Sequence, residues 1–293
     1  VSSQVGRTAL AIRLLPALAV ITVFLGAGMW FAVAQSLGYQ PYLPTVRGEG
    51  LTLAAYVDLL HDPAVGPAIA LTLRVAVAST FTAAVLGTGL ALLIYRLGRG
   101  RVWAARLVQV NLATPHVVGA LAMLLLLSQT GLVSRLSHSV GIVGSPAGFP
   151  ELTSDRLGLG IALEYVWKET PFISLLVLAA LGRASDELGR AARVLGARRW
   201  QRFRHVTLPV IAPSLMAGTV LVFAFAAGSY EVPRLLGRPY PATVSALAYE
   251  YYTDADLAAR PQAMALAMVA TVISVAGAAG YVLLFTRLVR RPL

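Results

Sequence analysis

Apolar residues in this chain gather into six long stretches, near 14–34, 67–95, 107–128, 158–181, 208–230 and 263–287, with polar or glycine- and proline-rich segments between them. Each can cross a bilayer as a helix, which takes about 20 mostly apolar residues. The pattern predicts an all-α, polytopic membrane protein with six transmembrane helices. Residues 1–293 then form a single transmembrane domain, with a first helix at 14–34 and a five-helix core over 67–287. The first apolar run is too long for the core of a secretory signal, and no small-residue cleavage site follows it convincingly, so it is read as a retained helix.

The polar positions between and within the spans refine this picture. Residues 35–66 form a loop with Pro41, Pro44, Gly48 and Gly50, then a run from Leu51 to Leu60 that fits a short helix, closed by Pro63 and Pro67. The second span ends at a basic hairpin, Arg96 to Arg101, whose two glycines supply the turn. In the third span Pro115, between Thr114 and His116, removes a backbone hydrogen bond and predicts a kink, either structural or a hinge. Residues 129–157 return the chain to the outer face. The fourth span carries Glu164, Lys168 and Glu169. Glu164 and Lys168 stand four apart with the carboxylate first, the favourable order for an intrahelical pair. Ionisable groups cost about 2.5–3.5 kcal/mol each in a membrane helix, so they face protein or water. Two roles fit: a structural ion pair near the outer interface, or a lining of a translocation path.

Composition agrees with the membrane assignment, with 57% hydrophobic and 13% charged residues and a mean hydropathy of +0.73. The net charge of +11 acquires meaning from its distribution. With both termini cytoplasmic, Arg7, Arg13, the 96–106 hairpin, Arg183 to Arg204 and Arg287 to Arg291 lie inside, against only Asp186 and Glu187. The outer loops hold nine carboxylates, among them Glu49, Asp58, Asp62, Asp155 and Glu250, beside Arg47 and a few other arginines. This is the positive-inside asymmetry, and it fixes the orientation of the multi-pass chain in its membrane. Nucleic-acid binding would need a soluble basic face with interleaved aromatics, and no soluble domain is available. Cysteine is absent, which removes disulfides and thiolate chemistry.

The basic loop between the fourth and fifth spans, residues 183–207, has an internal design. Ser185 is a plausible N-cap, with Asp186 and Glu187 in the first turn of a short helix that Gly196 ends. Ala191 and Ala192 are small enough for a partner surface to approach, and Gly196 permits a left-handed turn. Trp200, Phe203 and Val206 recur at three-residue spacing before Leu208 and Pro209. The series Ala191-Ala192, Gly196-Ala197, Trp200, Phe203, Val206, Leu208-Pro209 resembles the cytoplasmic coupling loop of the permease subunits of binding-protein-dependent ABC importers. Arg190 stands where that family has a glutamate, which puts in doubt any salt bridge made there; Glu187, one helical turn earlier, could substitute. Ala184 and Ser185 replace the family's usual Ile-Pro.

The resemblance implies the type I importer permease fold. It further implies that Glu187, Arg190, Ala191, Ala192, Leu195, Gly196, Ala197, Trp200 and Phe203 couple the chain to ATPase subunits. The implied partners are two ATP-binding cassette subunits carrying ATP and Mg, a second identical or homologous permease, an external solute-binding protein and the lipid bilayer. Transport would follow alternating access, ATP-driven closure of the ATPase pair drawing two such loops together. Trp167-Lys168-Glu169, with Pro171 and Phe172, and the stretches from Pro115 and from Gly228 to Gly237, resemble permeases of the polyamine, ferric iron, thiamine and phosphonate subgroup. Tyr230 and Glu231, ending the fifth span near the outer side, would join Glu164, Lys168 and Glu169 along a pathway. The three glutamates would then favour a polyamine-like or other small charged solute.

The chain cannot supply the energy itself: a P-loop needs lysine followed by Ser or Thr, and the only lysine, Lys168, precedes Glu169. No cofactor or metal site is expected, because His61, His116, His138 and His205 show no ligand spacing and each reads as a packed or interfacial side chain. Two rivals are weighed. An ion-coupled secondary transporter would use the intramembrane carboxylates without an ATPase. A membrane enzyme would need a convergent acidic or histidine cluster at one interface.

Overall fold

The computed structural model describes residues 7–40 and 50–289, without the side chains of 7–12, 183–186, 284–285 and 288–289. Pro41, Pro44, Arg47, Gly48, Glu49, Arg290 and Arg291 lie outside the described residues, as do the side chains of Arg7, Arg183, Ser185 and Asp186. The described residues are helical with no strand and fall into two units.

The first unit comprises residues up to Asp62 together with Ala248–Val269. It contains α1 (Arg7–Ser36), α2 (Ala54–His61), the end of α12 (Val244–Tyr252) and the start of α13 (Arg260–Val289). Helix α2 overlaps the expected short helical run, starting three residues later and ending one residue past Leu60. Ser36 Oγ and Tyr56 OH share a hydrogen bond of 2.8 Å, and Thr52 N–H donates to Leu37 O, so the loop closes back on the end of α1. Gln262 donates to Asp58 and Tyr251 to Asp62. Burial and the Asp62 carboxylate push the Tyr251 phenol up to about 12. The apolar side chains of α1, Leu15 and Phe24 among them, stay exposed, as on a helix that faces lipid.

The second unit, Pro63–Leu247 with Ala270–Leu293, is built on α3 (Val65–Arg96) packed along α7 (Leu159–Ala180), with α10 (Leu208–Gly228) against both. Close approach is set by glycine: a Cβ on Gly87 of α3 would lie 2.7 Å from Ile173 Cβ and 2.9 Å from Thr170 O of α7. Two apolar clusters fill the unit, one around Leu71, Val75, Ile161 and Tyr165, the other around Ile94, Ile173, Val177 and Ile211. Among the described residues, five helical segments are long and apolar enough to cross a membrane by length and composition alone: Arg13–Ser36, Val65–Arg96, His116–Ser139, Arg199–Gly228 and Leu257–Leu283. The fourth expected span, α7, has the length, but Glu164, Lys168 and Glu169 interrupt its apolar run.

Two expectations change. The kink at Pro115 is a complete break between α4 (Arg101–Leu112) and α5 (His116–Leu127), with Pro115 in extended backbone. The loop after α7 becomes helical earlier than the serine signal suggested. Helix α8 (Arg183–Val194) starts directly from Gly182, which occupies the N-cap position expected of Ser185. Arg101 donates to the carbonyls of Leu178 and Leu181, and Tyr95 OH to Gly182 O, so the end of α7 is already tied off when the chain turns. Residues 129–157 hold α6 (Leu132–Ser139) and a single 3₁₀ turn.

Candidate functional site

Two constellations stand out in the second unit. The first is the knuckle formed by α8, α9 (Arg199–Arg202) and the start of α10. Helix α8 ends in a Schellman motif: Gly196 N–H donates to Arg193 O at 3.0 Å and Ala197 N–H to Ala192 O at 2.9 Å. Gly196 sits at φ +80°, where a side chain is strained, and nothing would lie within 4 Å of an added Cβ. The glycine is therefore required by the turn and not by crowding. The next helix starts at once, with Gln201 Oε1 accepting from Arg198 N–H at 2.7 Å. A π-helical segment, Phe203–Thr207, then runs into α10 just ahead of Pro209, whose missing N–H cannot reach His205 O.

The knuckle presents apolar residues outward. Val194 and Leu195 are 88% and 85% exposed, and Leu188 and Trp200 are also exposed. Trp200 stacks on Phe203, ring centroids 5.5 Å apart, which fixes the indole as a platform. Ala192, Leu195, Gly196 and Ala197 line a shallow groove of about 370 Å³ that Gln201, Arg202 and His205 complete. Ala191, Arg190 and Glu187 are exposed on α8. Exposed large apolar side chains rimmed by arginine mark a surface that meets a partner.

The second constellation lies where α7 crosses the α4–α5 break. Pro115 cannot donate to Asn111 O; Lys168 of α7 donates to that carbonyl instead, and to Thr114 O at 2.5 Å. Pro171 likewise cannot donate to Trp167 O, and Asn111 Nδ2 reaches it at 3.5 Å. Each proline frees a carbonyl that the facing helix satisfies, which is how broken helices persist at membrane depth. The expected Glu164–Lys168 pair therefore does not form. The freed carbonyls at the end of α4 compete for the ammonium and win.

Glu164, fully buried, has no hydrogen bond to either carboxylate oxygen. The His116 imidazole fills the space between the two acids, with Nδ1 3.7 Å from Glu164 Oε1 and Nε2 3.6 Å from Glu169 Oε1. Phe225 of α10 lies against His116 at 4.4 Å between centroids and meets Tyr165 edge-on at 6.0 Å. Gly119 of α5 leaves the room: its Cβ would come within 3.0 Å of Glu164 Oε1. A pocket of about 340 Å³ opens beside His116, Lys168, Glu169 and Phe172. His116 is thus part of an ionisable cluster and not the merely packed side chain that spacing suggested. Tyr230 is exposed, and Glu231 is exposed in the first turn of α11 (Glu231–Leu236). Arg74, which nothing in the pattern singles out, is exposed in the first third of α3. Among the described residues no group of His, Asp and Glu could hold a metal ion.

Residues 83–291 match the family of binding-protein-dependent transport system inner membrane components. The inner membrane ABC transporter permease protein YdcU of Escherichia coli (strain K12) is 32% identical over 248 residues, 76% of this chain and 77% of that protein. The putrescine transport system permease protein PotI of the same strain is 27% identical over 229 residues, covering 78% and 74%. Among solved structures, a bacterial alginate ABC transporter in complex with an alginate pentasaccharide-bound periplasmic protein superposes with a TM-score of 0.76. It covers 97% of this chain and 96% of that one at 21% identity, a likeness of fold.

Proposed function

This chain belongs to the inner membrane components of binding-protein-dependent transport systems, and on that premise we propose how its two constellations divide the work of import. It is a multi-pass inner-membrane permease subunit of an ABC importer for a small solute, with the importer permease fold and no ATPase site of its own. Membership in this family displaces the ion-coupled and enzymatic readings. Residues 1–293 act as one transmembrane domain with both termini cytoplasmic, paired with an identical or homologous permease and with two ATPase subunits that hold ATP and Mg. Glu187, Arg190, Ala191, Ala192, Leu195, Gly196, Ala197, Trp200 and Phe203 form the ATPase-docking surface. The observation that carries this is the Schellman-closed knuckle with Val194, Leu195 and Trp200 held out to solvent. Closure of the ATPase pair pulls α8. Because α8 and α9 run into α10 through one π-helical turn, the pull reaches the span that packs on α3 and α7.

The solute path passes the α4–α5 break. Two carboxylates face one lysine whose ammonium is engaged by carbonyls, and Glu164 lacks any hydrogen-bonding partner. This balance favours a small solute carrying a cationic group, which would enter the pocket beside Glu169, with Glu164 buried behind His116. A putrescine permease and an alginate transporter are both among this chain's likenesses, so the site's own chemistry carries the assignment. Proteoliposomes holding the assembled importer decide both points. Uptake should require ATP and the external binding protein, survive collapse of the ion gradients, and be inhibited by small amines. Uptake driven by an ion gradient without ATP would defeat the importer mechanism, and insensitivity to amines would defeat the cationic-solute assignment.

A further inference from the structure

Behind the knuckle, between α8 and the ends of α3 and α7, opens a cleft of about 610 Å³. Its charged lining is all guanidinium: Arg96 at the end of α3, Arg190 and Arg193 on α8, Arg199 and Arg202 on α9, with no aspartate, glutamate or lysine among them. Among the described residues none of the five makes an ion pair with a carboxylate, and Arg202 Nε is buried without a hydrogen-bond partner. Like charges gathered this closely repel one another unless an anion lies between them. The wall formed by α3 is different, contributing Leu92 and the Tyr95 ring beside Arg96, and the neighbouring Leu93 and Leu97 are exposed.

A ligand that matches both walls is anionic at one end and apolar at the other, and it resides at the cytoplasmic membrane surface. We propose that this cleft binds the headgroup of an anionic phospholipid, its phosphodiester held by Arg96, Arg193, Arg199 and Arg202 and its glycerol and upper acyl chain resting on Leu92 and Tyr95. The lipid seats α8 against the membrane ends of α3 and α7, so the anionic lipid content of the membrane sets how firmly the knuckle is held. This rests on the cytoplasmic placement of the arginine-rich loops and is independent of the solute.

Native mass spectrometry of the full chain, released from detergent containing phosphatidylglycerol, phosphatidylcholine or inorganic phosphate, tests it. The wild-type chain should retain phosphatidylglycerol about tenfold over phosphatidylcholine. The Arg96→Gln/Arg199→Gln chain should lose that preference, while Arg96→Lys/Arg199→Lys keeps it, which separates lost charge from a misfolded chain. Millimolar inorganic phosphate should not displace the lipid. Equal retention of phosphatidylcholine, or an undiminished preference in the glutamine chain, overturns the proposal. Displacement by phosphate alone reassigns the cleft to a free anion. Protection of these arginines from chemical modification only when an ATPase subunit copurifies assigns it to an acidic partner segment, and overturns the lipid as well.

Discussion

The knuckle and the α4–α5 break are both interruptions of helix in the same unit, and they are stabilised in opposite ways. At the knuckle the backbone satisfies itself: two N–H groups return to carbonyls within α8, Gly196 takes the positive φ, and the side chains are left facing water. At the break the backbone cannot satisfy itself, because proline has removed the donors, and the side chains of Lys168 and Asn111, each from the facing helix, complete it. The first arrangement leaves its side chains exposed. The second is a polar junction whose stability depends on two helices keeping their relative position.

Substitutions sharpen this contrast. The largest effect is expected from Gly196→Glu, which should abolish ATP-dependent uptake while leaving membrane insertion intact. The local backbone strain of about 1–2 kcal/mol is confined to an exposed turn. Uptake and a protease-protection map, measured together, check both halves. Lys168→Met should act on folding instead. It strands two carbonyls beside two carboxylates and should cost about 3–5 kcal/mol, read as a lowered melting temperature in detergent. An unchanged melt would mean the carbonyls find water, and the junction would not need its lysine.

Glu164→Gln separates function from packing at the same place. The amide matches the carboxyl group in size and replaces a buried acid whose oxygens have no hydrogen bond. Stability should hold or rise by about 1 kcal/mol, read as an equal or higher melting temperature, while uptake of a cationic solute falls. Retained uptake with a raised melt would make Glu164 a structural burden only. The smallest effect belongs to Arg190→Glu, which restores the residue typical of the coupling loops this one resembles. An exposed charge contributes about 0.2–1 kcal/mol, so ATPase affinity should shift by less than about fivefold, in a direction that reports the charge of the partner surface.

The same contrast explains how much could be read from the sequence. The knuckle is local: Gly196, the small residues before it and the spaced aromatics all act within a few turns, so their spacing carried the geometry. The start of α8 departs from the Ser185 signal, because the atoms that cap α7, from Arg101 and Tyr95, come from other helix ends. At the junction Pro115 announces a disruption, yet Lys168 bonds to the carbonyls of Asn111 and Thr114 and not to Glu164. The i to i+4 rule describes an isolated helix, whereas here the carbonyls of a second helix compete for the same ammonium. His116 gave no signal at all, since its contacts with Glu164 and Glu169 exist only once α5 and α7 are packed.

The most direct test of the account is a mild-detergent pull-down of the tagged chain expressed with its neighbouring genes, in wild-type and Gly196→Glu forms. The account predicts that a Walker-motif ATPase copurifies with the wild-type chain and is lost from the Gly196→Glu chain, which remains inserted and monodisperse. An ATPase that copurifies equally with both would contradict the assignment of the knuckle as the coupling surface.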